Sequence, residues 1–187
     1  MFFLTLIFLL ACMFELEYER KQKGISANTQ TTFIRLSVTY TVSGGLIYAI
    51  SYLPEFYRPV MIPVILLTAV SNSMVAVSFG LFFDLVLALT VGGSFYALAA
   101  YMMLTMLAAV LAQALKEKKY RMGVSLLTFF FSLMIPELFS YLSTKEMQKY
   151  SLLYAFGTAF LTFLTAAFLV HRLLHEADPV SYTHLRA

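Results

Sequence analysis

Long apolar runs, separated by short polar or turn-forming stretches, dominate the pattern along the 187-residue chain. A helix needs about 20 apolar residues to cross the hydrocarbon core of a bilayer. The interruptions divide the chain into seven segments, near Met1–Phe14, Phe33–Leu53, Phe56–Val70, Met74–Val91, Phe95–Leu115, Met122–Leu142 and Ser151–His171. No segment shows the apolar/polar alternation typical of a membrane-barrel strand. The pattern therefore predicts an all-α, polytopic transmembrane bundle of about seven segments within residues 1–178.

The first and the third segments are too short to cross the bilayer as straight helices. The 14 residues of Met1–Phe14, at about 1.5 Å per helical residue, do not reach across ~30 Å of hydrocarbon. The third segment carries Pro63 near its start and meets the fourth through the uncharged turn Ser71–Ser73. Two short spans and a re-entrant hairpin are both open for this pair, and a single bent helix is a weaker alternative.

Composition supports lipid as the main solvent of the chain. Hydrophobic residues make up 60% and charged residues 12% of the sequence, whereas soluble domains have roughly 45–50% and about 25%. The single cysteine, Cys12, excludes an internal disulfide. The cationic residues flank apolar segments instead of forming a nucleic-acid patch. The expected partner is therefore the bilayer, with no nucleic acid, and a multi-pass location in a membrane follows.

The placement of Lys and Arg predicts the direction of threading, because cytoplasmic loops carry an excess of both. Nine of these residues fall on one predicted side: Arg20, Lys21, Lys23, Arg35, Lys116, Lys118, Lys119, Arg121 and Arg172. Only Arg58, Lys145 and Lys149 fall on the other. The blocks Arg20, Lys21, Lys23 and Lys116, Lys118, Lys119, Arg121 are the candidate topology determinants. They predict an outside amino end and an inside carboxyl end.

Two acidic residues inside apolar segments are the candidate functional positions. Asp84 lies in the middle of the fourth segment, where an acid is costly unless it faces protein or water. It is either a proton or cation ligand or, as we favour, a hydrogen-bond anchor between helices. Glu137 follows Pro136 in the sixth segment and is either a buried partner for a cation or, as we favour, a residue near the outer interface.

Other chemistry is weakly supported. His171 and His175 share one helical face with zinc-compatible spacing, but an interfacial anchor is the more common role of such a pair. No catalytic motif occurs in the chain, since no His is followed by Asp and no nucleophile or phosphate-binding motif is present. We therefore expect no catalytic residue, no cofactor and no metal within this chain.

Both ends of the sequence are unusual. The last nine residues, Pro179–Ala187, depart from the preceding composition and resemble translated adapter read-through. We exclude residues 179–187 from functional reasoning. An outside amino end that starts within a helix further suggests that the natural protein begins upstream.

The order of these features resembles the membrane region of the bacterial seven-transmembrane HD-domain family of cyclic-di-AMP phosphodiesterases. The matching elements are the polar loop Ile25–Gln30, the turn and proline-containing helix Arg58–Thr68, and the basic stretch Lys116–Arg121. The resemblance implies a sensory and transduction domain in the bacterial inner membrane, coupling an extracellular input to a cytoplasmic HD domain. Its implied partners are other domains of the same parent chain, membrane or cell-envelope proteins, and a second copy of the chain.

Two alternative functions stay open. Gly80–Asp84 followed by Gly93–Leu98 is similar to the Gly-Leu-x-x-Asp and Gly-x-x-Ala-Leu pattern of the rod-shape-determining MreD family, a cell-shape and cell-wall scaffold. In that case Asp84 is a packing or partner-contact residue. A small-solute transporter, or its substrate-binding membrane subunit, is the third class, with Asp84 at a midplane site.

Overall fold

The structure of the chain is a computed structural model that describes residues 41–70 except 43, 73–90, 93–115, 117, 119–145 and 150–169. Several predicted features lie outside the described residues. These are the first segment, residues 33–40 and 43 of the second, Arg20, Lys21, Lys23, Arg35, Lys116, Lys118, Lys149, Arg172, the His171–His175 pair and the 179–187 tail.

The described residues are all-helical and contain no strand. After a helical stretch at residues 44–50 and a 3₁₀ turn at Glu55–Tyr57, the α-helices are α1 (Met61–Val70), α2 (Ser73–Thr90), α3 (Phe95–Leu115), α4 (Arg121–Thr144) and α5 (Ser151–Leu164). Helix α5 continues into a π-helical turn, Thr165–Leu169. The predicted all-α fold class is therefore confirmed for this part of the chain.

Three helices are long and apolar enough to cross a bilayer: Phe95–Leu115, Arg121–Thr144 and Ser151–Phe168. The apolar helix at Ser73–Leu89 is shorter. With these three helices the chain has the features of a membrane protein. The larger number of seven segments stays a prediction.

Helix α1 is an interior helix. Met61, Val64, Ile65, Leu67 and Thr68 are fully buried, and α1 packs against α2, α3 and the π-helical turn. A helix that is apolar on all sides belongs in a protein interior, and its 10 residues reach only about 15 Å at 1.5 Å each. Helices α1 and α2 lie side by side, which argues against a single bent helix. Two short spans and a re-entrant hairpin are both compatible with this arrangement.

Helix α3 lies at the centre of the bundle and contacts α1, α2 and α4. One face of α3 is buried and consists mostly of small residues: Ala97, Ala100, Tyr101, Leu104, Thr105, Ala108, Ala109, Ala112 and Leu115. Small side chains let helix backbones approach closely, which is the main source of packing energy between helices in lipid. The alanine-rich face therefore explains why α3 can have neighbours on several sides.

Helices α4 and α5 bury hydroxyls and expose hydrocarbon. Their buried residues include Ser125, Thr128, Ser132, Thr158 and Thr162, and their exposed side chains include Met122, Leu126, Phe130, Leu153, Phe156 and Phe160. The buried hydroxyls donate to carbonyls of their own helix, as from Thr162 to the Thr158 carbonyl at 2.8 Å. This distribution is the reverse of a soluble helix pair and fits a surface that faces lipid.

Replacement of Gly80 by alanine is expected to destabilise the junction of α1, α2 and α3. A Cβ atom there would lie 2.6 Å from Thr105 Cγ2 and 2.7 Å from Val64 Cγ2. Overpacking of this kind costs about 1–3 kcal/mol, and thermal unfolding in detergent measures it. Gly157→Ala is the matched control, because a Cβ at Gly157 meets nothing within 4 Å. Equal melting temperatures for the two variants would contradict the tight junction.

Candidate functional site

Asp84 lies on the face of α2 that packs against α3. Its side chain is 1% exposed, and its Oδ2 accepts a hydrogen bond from the Thr105 hydroxyl at 2.7 Å. Thr105 is fully buried in the small-residue face of α3. The contact joins two helices through a carboxylate in the bundle interior, which is the geometry of an interhelical anchor.

A small cavity lies beside Asp84. It is lined by Asp84 and by apolar side chains from the 44–50 stretch, the segment before α1, α1 and α2: Ile47, Val60, Pro63, Phe79, Phe83 and Leu87, together with Gly80. Its volume is about 10 Å³, which is about the space that one water molecule needs. The cavity offers Asp84 room for a water, and it does not hold an organic solute in this conformation.

The turn before α1 is buried, although the sequence suggested an external loop. Phe56, Tyr57, Arg58, Pro59 and Val60 are all buried. Arg58 is 4% exposed, and so it does not act as a solvated loop cation. Removing Arg58 from the count of loop charges leaves nine against two (Lys145 and Lys149), which strengthens the asymmetry that predicts the orientation.

Arg58 belongs to a hydrogen-bonded group that we call the Arg58 cluster: Glu55, Arg58, Ser94 and Tyr101. The Arg58 Nε donates to the Leu53 carbonyl at 3.2 Å, and its Nη1 donates to the Tyr101 hydroxyl at 3.2 Å. The same hydroxyl donates to the Glu55 carbonyl. Tyr101 thus uses both hydrogen-bonding capacities of its phenol to tie α3 to the turn.

The Glu55 carboxylate adds a second link to α3. Its Oε1 accepts from the backbone N–H of Ser94, immediately before the helix begins. The Ser94 hydroxyl accepts from the N–H of Ala97 at 3.2 Å and so caps α3. An acidic side chain at a helix amino end is stabilised by the unpaired N–H groups and the helix dipole. The turn and the start of α3 are therefore held as one unit.

Tyr57 lies on the other side of the turn, in what we call the Tyr57 cluster: Tyr57, Glu137, Ser140, Ser151 and Tyr154. The rings of Tyr57 and Tyr154 stack with centroids 6.1 Å apart. Burial raises the pKa of Tyr57, the hydroxyls of Ser140 and Ser151 counteract that rise, and the Glu137 carboxylate adds to it. Tyr57 therefore stays a neutral phenol at physiological pH.

Two atoms of this cluster lack hydrogen-bond partners. The Tyr57 hydroxyl and the Glu137 Oε1 are buried and make no hydrogen bond within the described structure. Glu137 as a whole is half-buried, and it sits after Pro136 within α4. Glu137 thus reaches toward the turn from the end of α4 that joins α5.

Two of the candidate topology determinants are described. Lys119 is exposed, and its Nζ lies 5.4 Å from the centroid of the Tyr120 ring. The Arg121 Nε donates to the carbonyl of Leu115, the last residue of α3, at 3.2 Å. A cation at a helix carboxyl end is stabilised by the dipole, so Arg121 helps to end α3 as well as to mark this side of the bundle.

The candidate residues do not converge on one catalytic centre. Asp84 belongs to the α2–α3 interface, whereas Glu137 belongs to the Tyr57 cluster at the turn. Within the described ranges, no three His, Cys, Asp or Glu side chains group as metal ligands. Sequence reasoning missed the roles of Tyr57, Arg58 and Tyr101, because their partners lie far away along the chain. The one sequence feature that pointed to this turn was Arg58, a cation placed between Pro54 and Pro59.

Comparison of the chain with family models, with curated proteins and with solved structures finds no match.

Proposed function

We propose that the chain is a membrane-embedded signal-transduction domain. It transmits a signal from the end of the bundle that contains the buried turn before α1 to the opposite end. The observation that carries the proposal is the attachment of the turn to the long helices. Glu55 and Arg58 bond to the start of α3, and Tyr57 stacks on α5 beside Glu137 of α4. A displacement of this turn therefore acts on all three candidate membrane-spanning helices.

The helices then carry a displacement across the membrane. Helix α3 runs from the Arg58 cluster to Leu115, where Arg121 of α4 binds its last carbonyl. Helix α5 runs from Tyr154 to the π-helical turn, which packs against α1 and α4. Shifts of packed helices by small translations or rotations are an established way to transmit a signal.

The resemblance to the seven-transmembrane HD-domain family allows a more specific form of the proposal. In that version the parent protein is a bacterial inner-membrane HD-type cyclic-di-nucleotide phosphodiesterase, and this chain couples its extracellular input to the cytoplasmic catalytic domain. The partners are then other domains of the parent chain and a second copy of it. Catalysis lies in that other domain, because this chain contains no HD pair.

The test uses the complete reading frame that contains this chain, expressed in bacterial membranes. We expect an HD-type domain after residue 178 and hydrolysis of cyclic di-AMP by the membranes. Tyr101→Phe should change the hydrolysis rate several-fold by loosening the turn, whereas Tyr96→Phe, with an exposed side chain on the same helix, should not. Membranes without hydrolysis, or a stop codon directly after residue 178, would refute the phosphodiesterase proposal.

Intact cells that express the same reading frame test the orientation of the chain, on which the direction of signalling depends. With Cys12 replaced by serine, Lys145→Cys should react with an impermeant maleimide on intact cells. Lys119→Cys, which is also exposed, should react only after the cells are opened. The reverse pattern would contradict the predicted orientation and the path from an outside input to an inside domain.

An MreD-like scaffold is the second candidate, and one observation favours it. Gly80 and Asp84, the first and last residues of the Gly-Leu-x-x-Asp pattern, both lie where α2 packs closely on α3, and both approach Thr105. A packing role for Asp84 fits this geometry. Loss of rod shape on deletion of the gene, without a change in cyclic di-AMP, would favour the scaffold.

The transporter alternative has less support. The cavity beside Asp84 has room for about one water and presents one acidic side chain among apolar ones. Solute uptake by reconstituted protein that disappears in Asp84→Asn would nonetheless establish transport and displace the transduction proposal.

A further inference from the structure

Two charged side chains are buried in the described part of the chain, and their charges are opposite. Arg58 is 4% exposed and Asp84 is 1% exposed. The other Lys, Arg, Asp and Glu side chains among the described residues are half-buried or exposed. A buried ion without a compensating charge is costly in an interior of low dielectric constant. Each of these two groups therefore requires an opposite charge within reach.

Arg58 and Asp84 bind to the same face of α3. The Arg58 Nη1 donates to the Tyr101 hydroxyl at 3.2 Å, and the Asp84 Oδ2 accepts from the Thr105 hydroxyl at 2.7 Å. Tyr101 and Thr105 both belong to the buried face of α3. Residues four apart are neighbours on a helix, about 6 Å apart along its axis. The guanidinium and the carboxylate are thus attached to α3 one helical turn apart.

The cavity beside Asp84 gives a second, independent sign that the two groups are close. Its wall includes Asp84 and also Val60, which follows Arg58 by two residues. The rest of the wall is apolar and adds no charge: Ile47, Pro63, Phe79, Gly80, Phe83 and Leu87. Its volume of about 10 Å³ has room for about one water. Such a water can deliver a proton to the carboxylate.

The other groups near Asp84 do not balance its charge. Glu55 is itself acidic, is half-exposed, and accepts from the backbone N–H before the first residue of α3. Lys119 and Arg121 belong to the opposite end of α3. The polar side chains that α3 presents here are uncharged hydroxyls: Tyr101 and Thr105. Among the described residues, Arg58 is therefore the cation placed to compensate Asp84.

We propose that Arg58 is the counter-charge that keeps Asp84 ionised, and that displacement of the turn lets Asp84 take up a proton through the cavity. The carboxylate then becomes a neutral acid, which no longer needs the cation. This role in signalling rests on the transduction function proposed above, and it names the group on which the turn acts. The charge relation itself is measured on purified protein without any activity, so that its failure and the failure of the transduction proposal are separate results.

The first test is labelling of Asp84 by dicyclohexylcarbodiimide in detergent at neutral pH. A neutral acid adds its O–H across a C=N bond of the reagent, the proton goes to nitrogen, and the adduct rearranges to a stable N-acylurea. A carboxylate without this proton does not react in this way. Arg58→Met should raise the labelling of Asp84 several-fold, as measured by peptide mass spectrometry. Lys145→Met, which removes an exposed cation, is the matched control and should leave the labelling unchanged. Equal labelling in Arg58→Met and the unaltered protein would overturn the proposal.

The second test is thermal unfolding of paired variants. Asp84→Asn removes the charge but keeps an acceptor for the Thr105 hydroxyl. In the Arg58→Met background, Asp84→Asn should restore about 3 °C or more of the lost melting temperature. Glu55→Gln in the same background is the comparison, and we expect no such recovery.

Two results of the second test would refute the pairing. One is the absence of recovery with Asp84→Asn. The other is equal recovery with Glu55→Gln, because Glu55 would then be the partner of Arg58. If Arg58→Met does not fold, the double variant of Arg58→Met and Asp84→Asn decides. We expect it to unfold in a cooperative transition, and its failure to fold would also refute the pairing.

Discussion

Tyr101→Phe is expected to lower the free energy of unfolding by about 2–4 kcal/mol. The substitution removes the hydroxyl that accepts from Arg58 and donates to the Glu55 carbonyl. It keeps the ring, so packing on the fully buried face of α3 is preserved. A hydrogen bond to a charged group contributes about 1.5–3 kcal/mol and a neutral one about 0.5–1.5 kcal/mol. Denaturant or thermal unfolding in detergent measures the change.

Tyr96→Phe is the matched control for this variant. Tyr96 lies on the same helix, but its side chain is 44% exposed, and exposed substitutions usually change stability by less than about 0.5 kcal/mol. Arg58→Met should resemble Tyr101→Phe, because it breaks the same cluster. If Tyr101→Phe and Tyr96→Phe unfold alike, the Arg58 cluster does not stabilise the bundle.

Thr105→Val is expected to cost about 1–3 kcal/mol, although the two side chains have nearly the same shape. Removing the hydroxyl leaves the buried Asp84 carboxylate without the donor that lies 2.7 Å away. Hydrogen bonds between membrane helices average only about 0.6 kcal/mol, but an acidic group left unpaired in the interior has a larger penalty. Thermal unfolding again provides the measurement.

A second substitution separates the hydrogen bond from the unpaired group. Asp84→Leu in the Thr105→Val background removes the carboxylate as well, and we expect it to recover most of the lost stability. Asp84→Leu alone should cost less than Thr105→Val, because a free threonine hydroxyl in a helix can donate to a carbonyl of its own helix, as Thr162 does. A double variant less stable than Thr105→Val would contradict this account.

The hydrophobic pattern predicted the long helices well. The predicted segment Phe95–Leu115 coincides with α3, and the predicted Met122–Leu142 lies within Arg121–Thr144. These limits are visible because charged residues, glycines and turn-forming residues interrupt the apolar runs at both ends. The third segment was predicted to begin at Phe56, whereas α1 begins at Met61. Pro54 and Pro59 bracket the 3₁₀ turn that intervenes.

The site residues were harder to predict because their contacts are not local. Asp84 attracted attention as an acid in an apolar segment, yet its partner Thr105 is 21 residues away. Arg58 was counted as a loop charge, since a cation between prolines is usually solvated. Its burial depends on Tyr101, 43 residues further along the chain. A one-dimensional pattern contains no information about such pairs.

The buried hydroxyls of α4 and α5 bear on how these two helices can move against each other. Thr128 and Ser132 donate to carbonyls of α4, and Thr158, Thr162 and Thr165 donate to carbonyls of α5. Because these hydroxyls are satisfied within one helix, a slide of α5 along α4 breaks none of these hydrogen bonds. The resistance to sliding comes instead from side-chain packing, which includes the edge-on contacts of the Phe129 ring of α4 with the rings of Phe156 and Phe163 of α5. A shift of α5 along α4 therefore has to repack these aromatic rings.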